Sequence, residues 1–204
     1  MRIGILREGK QPPDKRVPFS PQQCKQLVDQ YPDLEILVQP SSIRCFKDDE
    51  YMDQGIQMSE DLSNCDVLMG VKEVPIADLI PNKTYFFFSH TIKKQPYNRK
   101  LLQAVVKNNI RLIDYEVLTG KDGMRIIGFG RFAGLVGAYN AWLTYGKRHQ
   151  LFNLKPANLC EDMDEMFEQL KSVSLPAVNS KRSYTPLFTF PTEVHPFSSS
   201  PTLI

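Results

Sequence analysis

From Arg2 to Tyr115 short apolar runs alternate with stretches of helical period. Arg2 to Leu6, Leu34 to Gln39, Val67 to Val71, Tyr85 to Ser89 and Arg111 to Tyr115 each read as a strand, and Arg125 to Gly128 as a sixth. Between the first two, Ser20 is placed to cap a helix with Pro21 at its first position, where the missing N–H costs nothing. Cys24, Leu27, Val28 and Tyr31 then recur at helical spacing and are expected to face the core. Leu101 to Lys107 belongs to another helix. Strands alternating with helices predict a parallel sheet covered on both faces, and near-continuous apolar strands fit that better than a sheet with one wet face. The expected fold class is therefore α/β: a parallel-sheet, flavodoxin- or Rossmann-like three-layer domain.

The pattern changes after Gly134. Leu135 to Tyr145 is apolar and rich in small residues, as one long helix would be, and an acidic helix follows around Asp162 to Leu170. Leu135, Val136, Tyr139, Trp142 and Leu143 are too many large apolar side chains for a solvated helix, so it should fold back on its own sheet or meet a second copy. From Asn179 the chain is mostly Ser, Thr, Pro and Phe, with Pro186, Pro191, Pro196 and Pro201 at five-residue intervals, which predicts a disordered tail. The expected organisation is a domain over 1–134, a helical extension over 135–178 and a tail over 179–204.

Composition narrows the function. At 42% hydrophobic and 24% charged, with a net charge of +2 and scattered basic residues, the 204-residue chain shows no leaning toward nucleic acid. No stretch approaches the ~20 apolar residues that cross a bilayer, and Met1 to Leu6 runs into charged residues unlike a secretory signal. The four cysteines, Cys24, Cys45, Cys65 and Cys160, lack C-x-x-C pairing; they predict reduced thiols in a cytoplasmic protein, with no zinc and no disulfide framework.

Gly128-Phe129-Gly130-Arg131-Phe132-Ala133 matches the G-x-G-x-x-A dinucleotide fingerprint. Bulky residues stand where a pyrophosphate needs close backbone approach. About 20 residues on, where an acidic residue should hold the ribose, the chain reads Gly146-Lys147-Arg148-His149-Gln150. A tight strand-to-helix junction is the competing reading. Better candidates for chemistry lie at strand ends, beyond which ligands bind in parallel sheets. Lys72 and Glu73 close one strand, His90 another and Glu116 a third, while Arg16 follows the first. Each could equally be structural: a solvated pair, a core histidine, a surface charge.

Several stretches carry a resemblance. Lys83-Thr84-Tyr85-Phe86-Phe87-Phe88-Ser89-His90-Thr91-Ile92-Lys93 and Ile110-Arg111-Leu112-Ile113-Asp114-Tyr115-Glu116 are similar to the lysine–2-oxoglutarate reductase part of bifunctional saccharopine enzymes. Gly70 to Glu73, Val38 to Ser41 and Arg125 to Gly130 join them. The opening, from Arg2-Ile3-Gly4-Ile5 to Lys15-Arg16-Val17-Pro18-Phe19-Ser20-Pro21, resembles the shared start of alanine dehydrogenase, transhydrogenase and saccharopine dehydrogenase chains. The likeness runs in order from Met1 to about Tyr145. It implies Lys72 and His90 as catalytic acid/base groups, and Arg16, Glu73, Lys93, Glu116, Arg125 and Phe129 around the substrate. The implied reaction is reversible, NAD- or NADP-dependent formation of saccharopine from lysine and 2-oxoglutarate through an imine. Its proton transfers need groups that titrate near neutrality, and its several carboxylates suit Arg.

The resemblance also implies a strand and a glycine-rich turn after Leu175-Pro176-Ala177, where this sequence instead reads Val178-Asn179-Ser180-Lys181-Arg182. The expectation is thus the substrate-binding part of an NAD(P)-dependent oxidoreductase acting on CH–NH donors, truncated before its nucleotide domain and inactive alone. Its cofactor site is absent or incomplete. Its partners are amino-acid and 2-oxo-acid substrates, together with a second copy or a separate nucleotide-binding domain. A non-catalytic carboxylate-binding module, or an inactive remnant, is the alternative.

Overall fold

The first apolar run becomes β1 (Arg2–Ile5), and the chain returns to its side as β2 (Glu35–Val38) through α1 (Pro21–Gln30). A computed structural model describes residues 1–128 and 130–173; the expectations for Phe129 and for the tail over 179–204 lie outside the described residues. Next come α2 (Asp48–Asp53), β3 (Gln57–Met58), β4 (Val67–Met69), β5 (Thr84–Phe87), α3 (Arg99–Lys107) and β6 (Arg111–Asp114). All pair in parallel in the order β3-β2-β1-β4-β5-β6. The chain winds outward from β1 to β3, then restarts beside β1 with β4 and winds the other way. That reversal is a topological switch point, and in open parallel sheets ligands bind at such a point, beyond the carboxyl ends of the strands.

Alternation along the strands sorts side chains between two cores. Ile5, Ile36 and Val38 pack with Cys24 of α1 and Tyr51 of α2 on one face. Leu68, Tyr85 and Phe87 pack with Leu101 and Val105 of α3 and with Leu62 and Cys65 on the other. Gly4 of β1 faces this second core, where a Cβ would come within 2.9 Å of the Leu68 and Leu62 side chains. Each fully buried Leu or Phe contributes roughly 1.5–3 kcal/mol relative to exposure. The helix start is as expected: Ser20 Oγ accepts from the Gln23 N–H, and the Gln23 side chain accepts from the Ser20 N–H, a reciprocal cap.

Three expectations are corrected. Arg125 to Gly128 is not a strand. Its one ladder contact is an isolated antiparallel bridge between Arg125 and Thr119, made across a turn that Gly123 permits at φ +76°. The segment pairs with its own loop instead of the sheet, leaving Ile126 exposed. The sixth strand is Gln57–Met58, whose two residues pair with Leu37 and Val38 and are too few to show a period. Tyr31 is exposed because the helix has ended there, its N–H bonding back to the Leu27 carbonyl as a C-cap.

Contacts divide the chain after Ile127. The described part of the second unit comprises α4 (Gly130–His149) and α5 (Met163–Lys171), with Asp162 capping α5 through the Glu165 N–H. Tyr139, Leu154 and Met166 form its core, with Trp142, Leu143, Phe152 and Leu170 packed around them. Part of the apolar face of α4 therefore finds cover in α5 and the intervening loop. Among the described residues no helix is long and apolar enough to cross a membrane.

Candidate functional site

At the switch point the loop after β1 reaches across to the turn after β4. The Glu8 carboxylate accepts from two successive backbone N–H groups, Val71 at 2.6 Å and Lys72 at 2.9 Å. Burial pushes the Glu8 carboxyl above the usual carboxylate range, and the two N–H bonds offset only part of that. The contact fixes the turn from which Lys72 and Glu73 project. Lys72 is half-buried, and its ammonium makes no ion pair among the described residues. Further along the same loop Arg16 forks onto Asp14, Nε to Oδ1 at 2.9 Å and Nη2 to Oδ2 at 2.6 Å. The guanidinium holds the Asp14 carboxyl below its usual range, and the charge of Lys72 adds to the effect.

Glu73 is shared by two partners. Its Oε2 lies 2.5 Å from Lys10 Nζ and its Oε1 2.8 Å from His90 Nδ1, with only 9% of the side chain exposed. Burial acts to raise the Glu73 carboxyl, but the Lys10 ammonium and the His90 ring outweigh it, and the net direction is downward. His90 follows β5 in the left-handed region at φ 54°, rare for a residue with a Cβ. Its ring stacks on Phe88, which meets Tyr115 edge-on. Burial, followed by the nearby charge of Glu8, pushes the Tyr115 phenol upward.

The end of β6 supplies the third group. Glu116 is 3% exposed; its Oε1 lies 3.3 Å from Lys93 Nζ and 3.9 Å from Arg125 Nη1. Its Oε2 is buried and has no hydrogen-bond partner among the described residues. Both cations are about half exposed, at 49% and 56%, so solvent screens their attraction. Arg125 reaches Glu116 because the turn at Gly120 to Met124 brings it back beside Thr119.

Of the residues singled out from the sequence, the structure joins Glu73 to His90, and Glu116 to Lys93 and Arg125. It sets Lys72 on the turn held by Glu8, and Arg16 on the loop that carries Glu8. All follow the carboxyl ends of β1, β4, β5 or β6. Phe129 lies outside the described residues. Sequence reasoning missed Glu8, Lys10, Asp14 and Asp114; the signal available was their placement, three in the loop after β1 and one closing β6. Among the described residues no strand leads into Gly128, and Gly130 begins α4.

The sequence profile of the alanine dehydrogenase/PNT N-terminal domain matches residues 4–136. The chain belongs to that family. Members of the curated protein set extend the match. The mitochondrial alpha-aminoadipic semialdehyde synthase of Bos taurus is 39% identical over 146 residues, which is 72% of this chain and 16% of that protein. The saccharopine dehydrogenase [NAD(+), L-lysine-forming] of Emericella nidulans is 32% identical over 163 residues, 74% of this chain and 43% of that one. Among solved structures an L-alanine dehydrogenase superposes with a TM-score of 0.59 at 18% identity, covering 74% of this chain and 42% of the other, which shows a shared fold. This alanine dehydrogenase/PNT-type chain thus spans less than half the length of each. The match places it among N-terminal domains of the alanine and saccharopine dehydrogenase type, and the Emericella nidulans relative is by its name NAD(+)-linked.

Proposed function

We propose that the chain is the substrate-binding part of an oxidoreductase that forms or cleaves saccharopine, with lysine and 2-oxoglutarate as the other reactants, in lysine metabolism. The observation that carries this reading is Glu116: a buried carboxylate with two cations on one oxygen and, among the described residues, no partner on the other. An unpartnered buried carboxylate oxygen is costly unless something donates to it. A substrate ammonium or secondary amine is such a donor, and Lys93 and Arg125 beside it suit the carboxylates that such a substrate also carries.

The same reading gives the other residues their work. Arg16, oriented by Asp14, binds a substrate carboxylate. Lys72 and His90 move protons as the lysine ε-amine adds to the keto carbon and water leaves to give the imine. Glu73 orients the His90 ring through Nδ1, which leaves Nε2 to meet the substrate. A nicotinamide would supply the hydride. On this reading it comes from a further domain or a partner chain. The cysteines, two of them buried, suit a reducing compartment such as the cytoplasm. Calorimetric titration of the chain with saccharopine, lysine and 2-oxoglutarate tests the assignment. Saccharopine should bind, and Lys72→Met or His90→Gln should weaken it without unfolding the chain. Absence of binding by all three would overturn the reading. Saccharopine binding with no turnover when NAD+ and a nucleotide domain are supplied would leave a binding module.

A further inference from the structure

Beneath the site one buried carboxylate ties two turns together. Asp114, the last residue of β6, sits opposite Phe87 in the ladder and is 7% exposed. Its Oδ2 accepts from the Ser89 hydroxyl, just past the end of β5, and its Oδ1 accepts from the Glu116 N–H at 2.9 Å. Ser89 is wholly buried; its Oγ also accepts from the Thr91 N–H at 3.1 Å and lies 2.7 Å from Thr91 Oγ1. A hydroxyl has a single proton. Ser89 gives it to the carboxylate, so the Thr91 hydroxyl must donate to Ser89. The order of donors is therefore set from Thr91 through Ser89 to Asp114.

His90 lies between Ser89 and Thr91, in a left-handed conformation that persists only where its surroundings impose it. Glu116 lies two residues past Asp114. We infer that Asp114, acting through Ser89, is the positioning residue that holds His90 against Glu73 and sets Glu116 at the same edge of the site. This rests on the reading of His90 and Glu116 as acid/base and substrate-binding groups. The tie itself is a matter of two turns moving as one, so it can be measured without any ligand.

Ser89→Ala, a small change that keeps the core filled, is the first variant, and Asp114→Asn the second in case either fails to fold. Amide hydrogen exchange and imidazole resonances are read by NMR on the whole chain. In Ser89→Ala the Thr91 amide should exchange roughly tenfold faster, as expected for one lost hydrogen bond. The Glu116 amide, on the neighbouring strand end, should speed up by a comparable factor, and the His90 ring resonances should shift. Asp114→Asn should give the same pattern, with amides of β1 and β2 unchanged in both. A change confined to Thr91, with Glu116 and His90 as in the wild type, would overturn the inference, as would a uniform rise in exchange throughout the domain. Saccharopine affinity separates the two claims. If the wild type does not bind it while the tie is measured as described, the proposed function fails and the tie stands. If wild type and variants bind it equally although the tie is lost, the positioning role fails.

Discussion

Glu73→Gln removes the charge that Lys10 and His90 share. The amide can still accept one hydrogen bond, but its NH2 then faces the other partner as a second donor. Exposed ion pairs contribute about 0–1 kcal/mol, whereas stripping one partner from a buried pair costs about 3–5 kcal/mol. Glu73 is 9% exposed, His90 18% and Lys10 34%, which places this three-way contact between those limits, at about 2 kcal/mol. For a chain of this size that lowers the melting temperature by about 4–8 °C. The pH dependence has a definite sign. The folded carboxyl lies below its unfolded value of 4.5, so its contribution is present above that pH and lost as pH falls through the folded value. Thermal melts followed by circular dichroism should show the full gap between wild type and variant at pH 7, narrowing below about pH 4.5. Equal melting temperatures at pH 7, or a gap that persists undiminished at about pH 3.5, would refute the ion-pair account.

Burial pushes the Cys24 thiol up to about 12, whereas Cys45 is exposed. An aromatic disulfide reagent at neutral pH should therefore label Cys45 well before Cys24 in the native chain; equal rates would contradict the buried placement. A Cβ at Gly146 would lie 2.4 Å from the Phe152 ring and 2.6 Å from the Phe152 carbonyl oxygen. Gly146→Ala should therefore destabilise the second unit by about 1–3 kcal/mol despite alanine's better helix propensity, and the emission of Trp142, which packs against Phe152, should shift to the red. No strand leads into Gly128 among the described residues, and a dinucleotide turn needs one, so NADH fluorescence should not saturate at concentrations equivalent to roughly 4 kcal/mol of binding. Micromolar binding abolished by Gly130→Val would show that turn to be a real fingerprint.

Much of the sheet was legible because buried parallel strands are apolar on both faces, so Ile36 to Val38 and Tyr85 to Phe87 stand out whatever their partners. Ser20 with Pro21 and Gln23 marked its helix start by local chemistry alone. Gln57–Met58 escaped because two residues carry no period, and Arg125 to Ile127 misled because an apolar run does not say which backbone it pairs with. The same holds for the site. Strand-end positions pointed to Lys72, His90 and Glu116. Their carboxylate partners were hidden because Glu8 meets Val71 across 63 residues of chain and Ser89 meets Asp114 across 25. Nothing in the order of residues reveals that the loop after β1 and the turn after β4 become neighbours; that follows from the switch in strand order.

The central claim is that one substrate binds at the carboxyl edge of β1, β4, β5 and β6. Two-dimensional amide NMR of the chain during titration with saccharopine tests it most directly. Saturable shifts should be confined to the turns carrying Glu8, Lys72, Glu73, His90, Lys93, Glu116 and Arg125, and Glu116→Gln should remove them. Absent shifts, or shifts confined to the opposite edge of the sheet around Asn82 and Asn109, would contradict the account.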